Sequence, residues 1–100
     1  MSVIPDGNVL FVVDIEYAVP FEEVQPVLPP HMEFVKRCFA EGHFLVSGPK
    51  TPRSGGVVIA TAPDRAAIEA LIAGDPFCTE GVVTVTITEF GVSNMADALR

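Results

Sequence analysis

The chain has 100 residues, of which 49% are apolar, and carries a formal net charge of −7 at pH 7. This length and composition predict one domain with a packed core and exclude a disordered chain. The negative charge argues against nucleic acid and anionic membranes as partners. The longest apolar run, residues 9–13, is far shorter than the roughly 20 residues of a membrane-spanning helix. Because the N-terminus has no basic region or long apolar stretch, we expect no signal peptide and a cytoplasmic protein.

The first half of the chain predicts one strand and one long helix. Residues 1–8 are expected to form a loose leader, and residues 9–17 a strand whose first half is apolar on both faces. Residues 19–28 have apolar residues at helical spacing but several prolines, so we expect an irregular segment with one helical turn. The helix is predicted over residues 30–41, where Pro30 is tolerated in the first turn and Gly42 ends it.

The second half predicts two strands, a helix and a final strand. The two strands cover residues 43–48 and 57–62. The helix follows the N-cap Asp64 and ends at Gly74. In residues 82–90 apolar side chains alternate with threonines, as in a strand. The order β-α-β-β-α-β predicts an α+β, ferredoxin-like fold with both helices on one face of an antiparallel sheet. We therefore divide the chain into a leader (1–8), one α+β domain (9–90) and a C-terminal tail (91–100).

The second face of this sheet is predicted to be bare of helices. In the first and third strands that face is also apolar, and a bare apolar sheet face is unfavourable in water. We therefore expect a homodimer in which a second copy covers it, sheet against sheet, with a barrel-like interface.

Three segments carry a resemblance to a known family. They are PPHMEFVKRCFAEGHFLVSGP, SGGVVIATA and AGDPFCTEGVVTVTITEF. In this order and spacing they resemble the YciI-like, or YCII-related, family over about residues 9–90. The resemblance implies a dimeric α+β barrel and an active site with a His–Asp pair, here His31 and Asp75. One branch of the family removes chloride from a chlorinated hydroxyquinol, and relatives by fold include muconolactone isomerases and small cofactor-free monooxygenases.

His31 and Asp75 are the candidate catalytic residues. His31 lies in the first turn of the predicted helix on its sheet-facing side, and Asp75 follows Gly74. An imidazole oriented by a carboxylate acts as a general acid and base, and we expect no cofactor. The residues alone leave open a core histidine and an aspartate that only shapes a turn. The spacing of Cys and His predicts no metal site, and we expect Cys38 and Cys78 to be buried thiols rather than a disulfide.

Six further residues are candidates for binding a small-molecule substrate: Ser47, Gly48, Pro49, Lys50, Arg53 and Phe77. The serine either bonds the substrate or satisfies its own turn, and the glycine and proline shape the pocket wall. The two basic residues either attract an anionic substrate or belong to a solvated loop, and the phenylalanine packs on the pocket or the core. Many members of the family carry Arg at the position of Leu28. Either Lys50 or Arg53 replaces its charge, or the substrate differs.

Two functions remain open at this point. The first is a small cofactor-free enzyme in which His31 and Asp75 catalyse isomerisation or elimination of a small polar cyclic or carbonyl compound. The second is a non-catalytic, dimeric ligand-binding or accessory module that kept the pocket and lost the chemistry, as Leu28 suggests.

Overall fold

One four-stranded antiparallel sheet with helices on one face forms the framework of the protein. The computed structural model describes residues 3–100. The strands are β1 (Val9–Tyr17), β2 (Phe44–Pro49), β3 (Gly55–Ala62) and β4 (Val83–Phe90). They lie in the order β2-β3-β1-β4. The helices are α1 (Phe21–Val24), α2 (Leu28–Ala40), α3 (Arg65–Ala73) and α4 (Pro76–Thr79). The predicted α+β, ferredoxin-like fold is confirmed.

The helices differ in detail from the sequence prediction. Helix α2 begins at Leu28, two residues early, because its prolines occupy the first turn, where a missing N–H costs no hydrogen bond. Asp64 caps α3 as predicted, with its side chain accepting from the Ala67 N–H at 2.8 Å. Helix α4 was not predicted: one turn starts at Pro76, directly after its cap Asp75. Asp75 therefore lies between two helices rather than in a simple turn.

The core lies between the helices and one face of the sheet. Phe11, Val13 and Ile15, at alternate positions of β1, are buried on this face, as period-two alternation requires. Helix α2 contributes Val35 and Cys38 to the same cluster. This packing fixes which side of α2 faces the sheet, and thereby the direction of every side chain in its first turn.

A bulge in β2 changes the face on which its residues lie. Phe44 pairs with Ala60 and Ser47 pairs with Val58, with the register shifting between Phe44 and Val46. In a regular strand, residues three apart point to opposite faces. The inserted residue instead places Phe44 and Ser47 on the same, helix-covered side of the sheet.

The second face of the sheet is much more open. Val12 and Ile59, which are paired across β1 and β3, are only partly buried. On the flanking strands, Val46 is 58% exposed and Phe90 is 43% exposed. The prediction that this face is bare of helices thus agrees with the exposure of its residues. Its apolar part lies mainly in β1 and β3, because β4 places the exposed Thr84, Thr86 and Thr88 on the same face.

The described part of the leader contacts the tail. The Val3 N–H donates a hydrogen bond to the Leu99 carbonyl at 3.2 Å, and residues 1 and 2 lie outside the described residues. The division into leader, domain and tail stays a prediction. No helix within residues 3–100 is long and apolar enough to cross a membrane.

Both cysteines are free thiols. Burial, with a smaller contribution from Glu41, raises the pKa of the Cys38 thiol to about 11. Burial also raises the pKa of Cys78, and the nearby Asp75 carboxylate adds to this effect. Both side chains therefore stay protonated at neutral pH. Cys38 is buried, as expected of a cysteine that fills space in a core, whereas Cys78 is only partly buried.

Gly55 lies where the backbone of β3 closely approaches that of β1. Its φ is +157°, and a Cβ there would overlap the Ile15 carbonyl oxygen. Because this neighbour is backbone, an alanine must displace a strand. We expect Gly55→Ala to lower the free energy of unfolding by about 3 kcal/mol or more, measured by urea denaturation. Gly91→Ala is the control, since nothing lies within 4 Å of its Cβ position. Equal stability of the two variants would contradict this packing.

Candidate active site

A cleft of about 310 Å³ opens at one end of the sheet, beside α2. Because neighbouring strands are antiparallel, the end of β1, the end of β2 and the start of β3 meet there. These strand ends, the first half of α2 and Phe77 of α4 line the cleft. The cleft is thus built where four elements terminate, and backbone as well as side chains forms its walls.

His31, which lines this cleft, is in contact with Asp75. His31 Nδ1 lies 2.8 Å from Asp75 Oδ1, and the two side chains are 12% and 3% exposed. The same carboxylate oxygen accepts the Phe77 N–H at 2.9 Å, which caps α4. Asp75 therefore both shapes the local backbone and contacts the imidazole.

This contact determines which imidazole nitrogen faces the cleft. A carboxylate only accepts hydrogen bonds, so Nδ1 must carry the proton, and in the neutral ring Nε2 is then the acceptor. Within residues 3–100, Nε2 of His31 has no hydrogen-bond partner. Every buried side-chain nitrogen and oxygen in this range does have a partner, so Nε2 is not buried. Since His31 lines the cleft, its basic nitrogen is accessible from there.

Phe77 holds the imidazole from a second direction. The two rings are stacked, with centroids 3.6 Å apart and an interplanar angle of 5°. Phe77 is buried and contacts Tyr17 edge to face, with ring centroids 6.1 Å apart. The hydrogen bond to Asp75 lies in the plane of the imidazole and the stack lies on its face, so both the tilt and the rotation of the ring are restricted.

The two basic candidates have different surroundings. The Lys50 ammonium pairs with Asp14, with Nζ 2.6 Å from Oδ1, and Lys50 does not line the cleft. Arg53 does line it, and its guanidinium carbon lies 5.0 Å from the centroid of the Phe21 ring. Arg53 is thus the basic candidate that a ligand in the cleft would meet.

The remaining candidates, Ser47, Gly48 and Pro49, all line the cleft. Within residues 3–100, the Ser47 hydroxyl makes no hydrogen bond to its own turn or to another side chain. The hydroxyl is therefore free to bond a ligand. No three His, Cys, Asp or Glu residues in the described part of the chain cluster closely enough to hold a metal ion.

Sequence reasoning missed several residues of the cleft. Tyr17, Leu28 and Met32 line it, and Met32 is 46% exposed. Two signals were available. Leu28 precedes His31 by three residues, which places both on one side of a helix, and Tyr17 follows Ile15 by two residues at a strand end. Neither signal distinguishes a cleft from a core without the packing of α2.

The fold is shared with solved structures of small enzymes. The dehydrochlorinase for 5-chloro-2-hydroxyhydroquinone from Burkholderia phenoliruptrix, in complex with 2,5-dihydroxybenzoquinone, matches with a TM-score of 0.71 and 15% identity over 81% of this chain and 92% of its own. An antibiotic biosynthesis monooxygenase matches with a TM-score of 0.59 and 22% identity, over 85% of this chain and 99% of its own. SnoaB, a cofactor-independent oxygenase from Streptomyces nogalater, matches with a TM-score of 0.51 and 18% identity, over 90% of this chain and 97% of its own.

At these identities the structural matches establish a common fold. Comparison with curated protein sequences gave no significant match. The profile of the YCII-related domain matches residues 8–91, which include every strand and all four helices. The chain therefore belongs to the YCII-related domain family.

Proposed function

We propose that the cleft is the active site of a small cofactor-independent enzyme in which His31 transfers protons and Asp75 orients it. The observation that carries this proposal is the 2.8 Å contact between His31 Nδ1 and Asp75 Oδ1, which leaves Nε2 toward the cleft. With its lone pair on Nε2, the neutral ring takes a proton from a substrate, and the resulting imidazolium returns it to another atom. The buried carboxylate stabilises that imidazolium without itself becoming protonated.

The proposed substrates are small polar cyclic or carbonyl compounds. An imidazole base can take a proton from a ring hydroxyl, and it can take one from carbon next to a carbonyl when the developing enolate oxygen is stabilised. Return of the proton to a different atom gives an isomerisation, whereas departure of a leaving group with its bonding electrons gives an elimination. A volume of about 310 Å³ is at the small end for ligand pockets. The dehydrochlorinase complex with 2,5-dihydroxybenzoquinone supports a ring ligand of this size.

Ser47, Gly48 and Pro49 are proposed to form the substrate-binding wall opposite His31. The unused Ser47 hydroxyl supplies a donor or acceptor for a substrate oxygen, and Phe77 restricts the imidazole during proton transfer. A cytoplasmic location is part of the same proposal and is supported by the two free thiols, which suit a reducing compartment.

A homodimer is also proposed, with the open sheet face as its interface. Partly buried Val12 and Ile59 lie at the centre of this face, and exposed Val46 and Phe90 lie at its edges. A second copy placed sheet against sheet removes these side chains from water, which is the main favourable term in association.

The alternative is a non-catalytic ligand-binding module of the same fold. Leu28 favours it, because this side chain lines the cleft at the position where many family members carry Arg. A binder of this kind keeps the cleft and the contact between His31 and Asp75 but turns over no substrate, so activity measurements separate the two functions.

The first prediction concerns the tautomer of His31. Long-range proton–nitrogen NMR of the neutral imidazoles should show His31 protonated at Nδ1, because Asp75 accepts that proton. Asp75→Asn should remove this preference, since an amide can also donate. Asp64→Asn is the matched control: it makes the same change at another helix cap, and Asn caps as well as Asp does. Protonation of His31 at Nε2 in the native protein would contradict the proposed base.

The second prediction concerns turnover. In a screen of hydroxyquinols, lactones and enols, we expect one class to react, and His31→Gln and Asp75→Asn each to lower kcat by about 100-fold or more. His43→Gln is the control, because His43 does not line the cleft. Turnover that is equal in the native and His31→Gln proteins would exclude His31 as the base. Thermal shifts by the same compounds with no turnover in any protein would support the binding module.

The third prediction concerns assembly. Sedimentation at micromolar concentration should give a dimer for the native protein and a monomer for Ile59→Glu, because a charge at the centre of an apolar interface loses its hydration on association. Ala70→Glu, on the exposed side of α3, should remain dimeric. A monomeric native protein would exclude the proposed interface.

A further inference from the structure

Arg53 is a cation in a cleft that lacks acidic side chains. No Asp, Glu or Lys is among the residues lining the cleft, and Asp75 is buried behind His31. Within residues 3–100, four of the six Lys and Arg residues pair with carboxylates. Arg53 does not, although the chain carries a net charge of −7. An unpaired guanidinium at such a position is available to an anion from outside the protein.

The backbone that carries Arg53 is fixed on both sides. The Lys50 N–H donates to the Gly55 carbonyl at 2.9 Å, the Ser54 N–H donates to the Pro52 carbonyl at 2.8 Å, and the Tyr17 N–H donates to the Ser54 carbonyl at 2.9 Å. The loop between β2 and β3 is therefore tied to itself and to the end of β1. These bonds restrict where the Arg53 side chain begins.

The guanidinium end is supported by an aromatic ring. Its carbon lies 5.0 Å from the centroid of Phe21, a distance at which the face of a ring attracts a cation. Phe21 in turn contacts Tyr17, with centroids 5.8 Å apart, and Tyr17 contacts Phe77. A continuous row of rings thus joins the group that supports Arg53 to the ring stacked on His31.

We propose that Arg53 is the specificity-determining residue of the cleft and selects planar ring compounds that carry an anionic oxygen, and that Phe21 positions its guanidinium. In this arrangement the substrate ring lies along the apolar wall, its anionic oxygen meets Arg53, and its acidic proton faces His31. This inference rests on the proposed function of the cleft. Arg53, and not Lys50, then supplies the positive charge that many family members carry at the position of Leu28.

The test compares ligands that differ in charge but share a ring. Calorimetric titration at pH 7 uses two pairs of probes, 2,5-dihydroxybenzoate with 2,5-dihydroxybenzamide, and 2,5-dihydroxybenzoquinone with 2,5-dimethoxybenzoquinone. The first compound of each pair is an anion and the second is neutral, so the pairs also distinguish a carboxylate from an ionised enol. In the native protein we expect the anion of one or both pairs to bind about tenfold more tightly than its neutral partner.

The variants assign that preference to a residue. Arg53→Gln should reduce this preference to less than about twofold. Arg53→Lys and Phe21→Leu should give intermediate values, because the first keeps the charge without the planar guanidinium and the second keeps the guanidinium without its supporting ring. Arg65→Gln, which removes a charge on α3 outside the cleft, should leave it unchanged. Added NaCl should weaken anion binding in the native protein far more than in Arg53→Gln.

The outcomes separate this inference from the proposed function. Because the preference for anions is measured by binding and not by turnover, a failed turnover screen leaves the assignment of Arg53 intact. Equal affinity for both members of each pair, or no binding of any probe, overturns the inference even if turnover is found. A preference that is lost in Lys50→Gln but kept in Arg53→Gln overturns it as well.

Discussion

A single buried carboxylate connects the elements that form the cleft. One oxygen of Asp75 accepts both the His31 Nδ1–H and the Phe77 N–H, and the side chain is only 3% exposed. Burying a charged carboxylate is unfavourable unless hydrogen bonds replace its water. The first turn of α2 and the start of α4 must therefore lie together, and this juxtaposition also brings the Phe77 ring onto the imidazole.

The charges around the cleft are arranged in a consistent way. The negative charge of Asp75 lies behind the imidazole and is screened from a ligand by it, while Asp14 lies on the other face of the sheet and neutralises Lys50. The polar side chains among the residues that line the cleft are those of His31, Ser47, Tyr17 and Arg53. An acidic protein thus presents a locally neutral to positive cleft, as expected if its ligand is an anion.

The sequence predicted the fold better than the site, for physical reasons. The alternation in β1, the apolar stripe of α2 and the cap Asp64 are local signals, and each gave the correct element. The contact between His31 and Asp75 spans 44 positions, so it followed from the family resemblance and not from spacing. The bulge in β2, the pairing of Lys50 with Asp14 and the placement of Tyr17 depend on how strands and helices pack, which no local pattern encodes.

The bulge in β2 also bears on how the chain tolerates changes in length. Removing the extra residue would restore a regular strand and keep its backbone hydrogen bonds, but only Phe44 or Ser47 would then lie on the side of α2. In one register Phe44 stays in the core and Ser47 turns to the other face of the sheet. In the other register Ser47 stays at the cleft and Phe44 leaves the core. Single-residue deletions here should therefore be far less tolerated than substitutions, so that among relatives this strand would vary in composition but seldom in length.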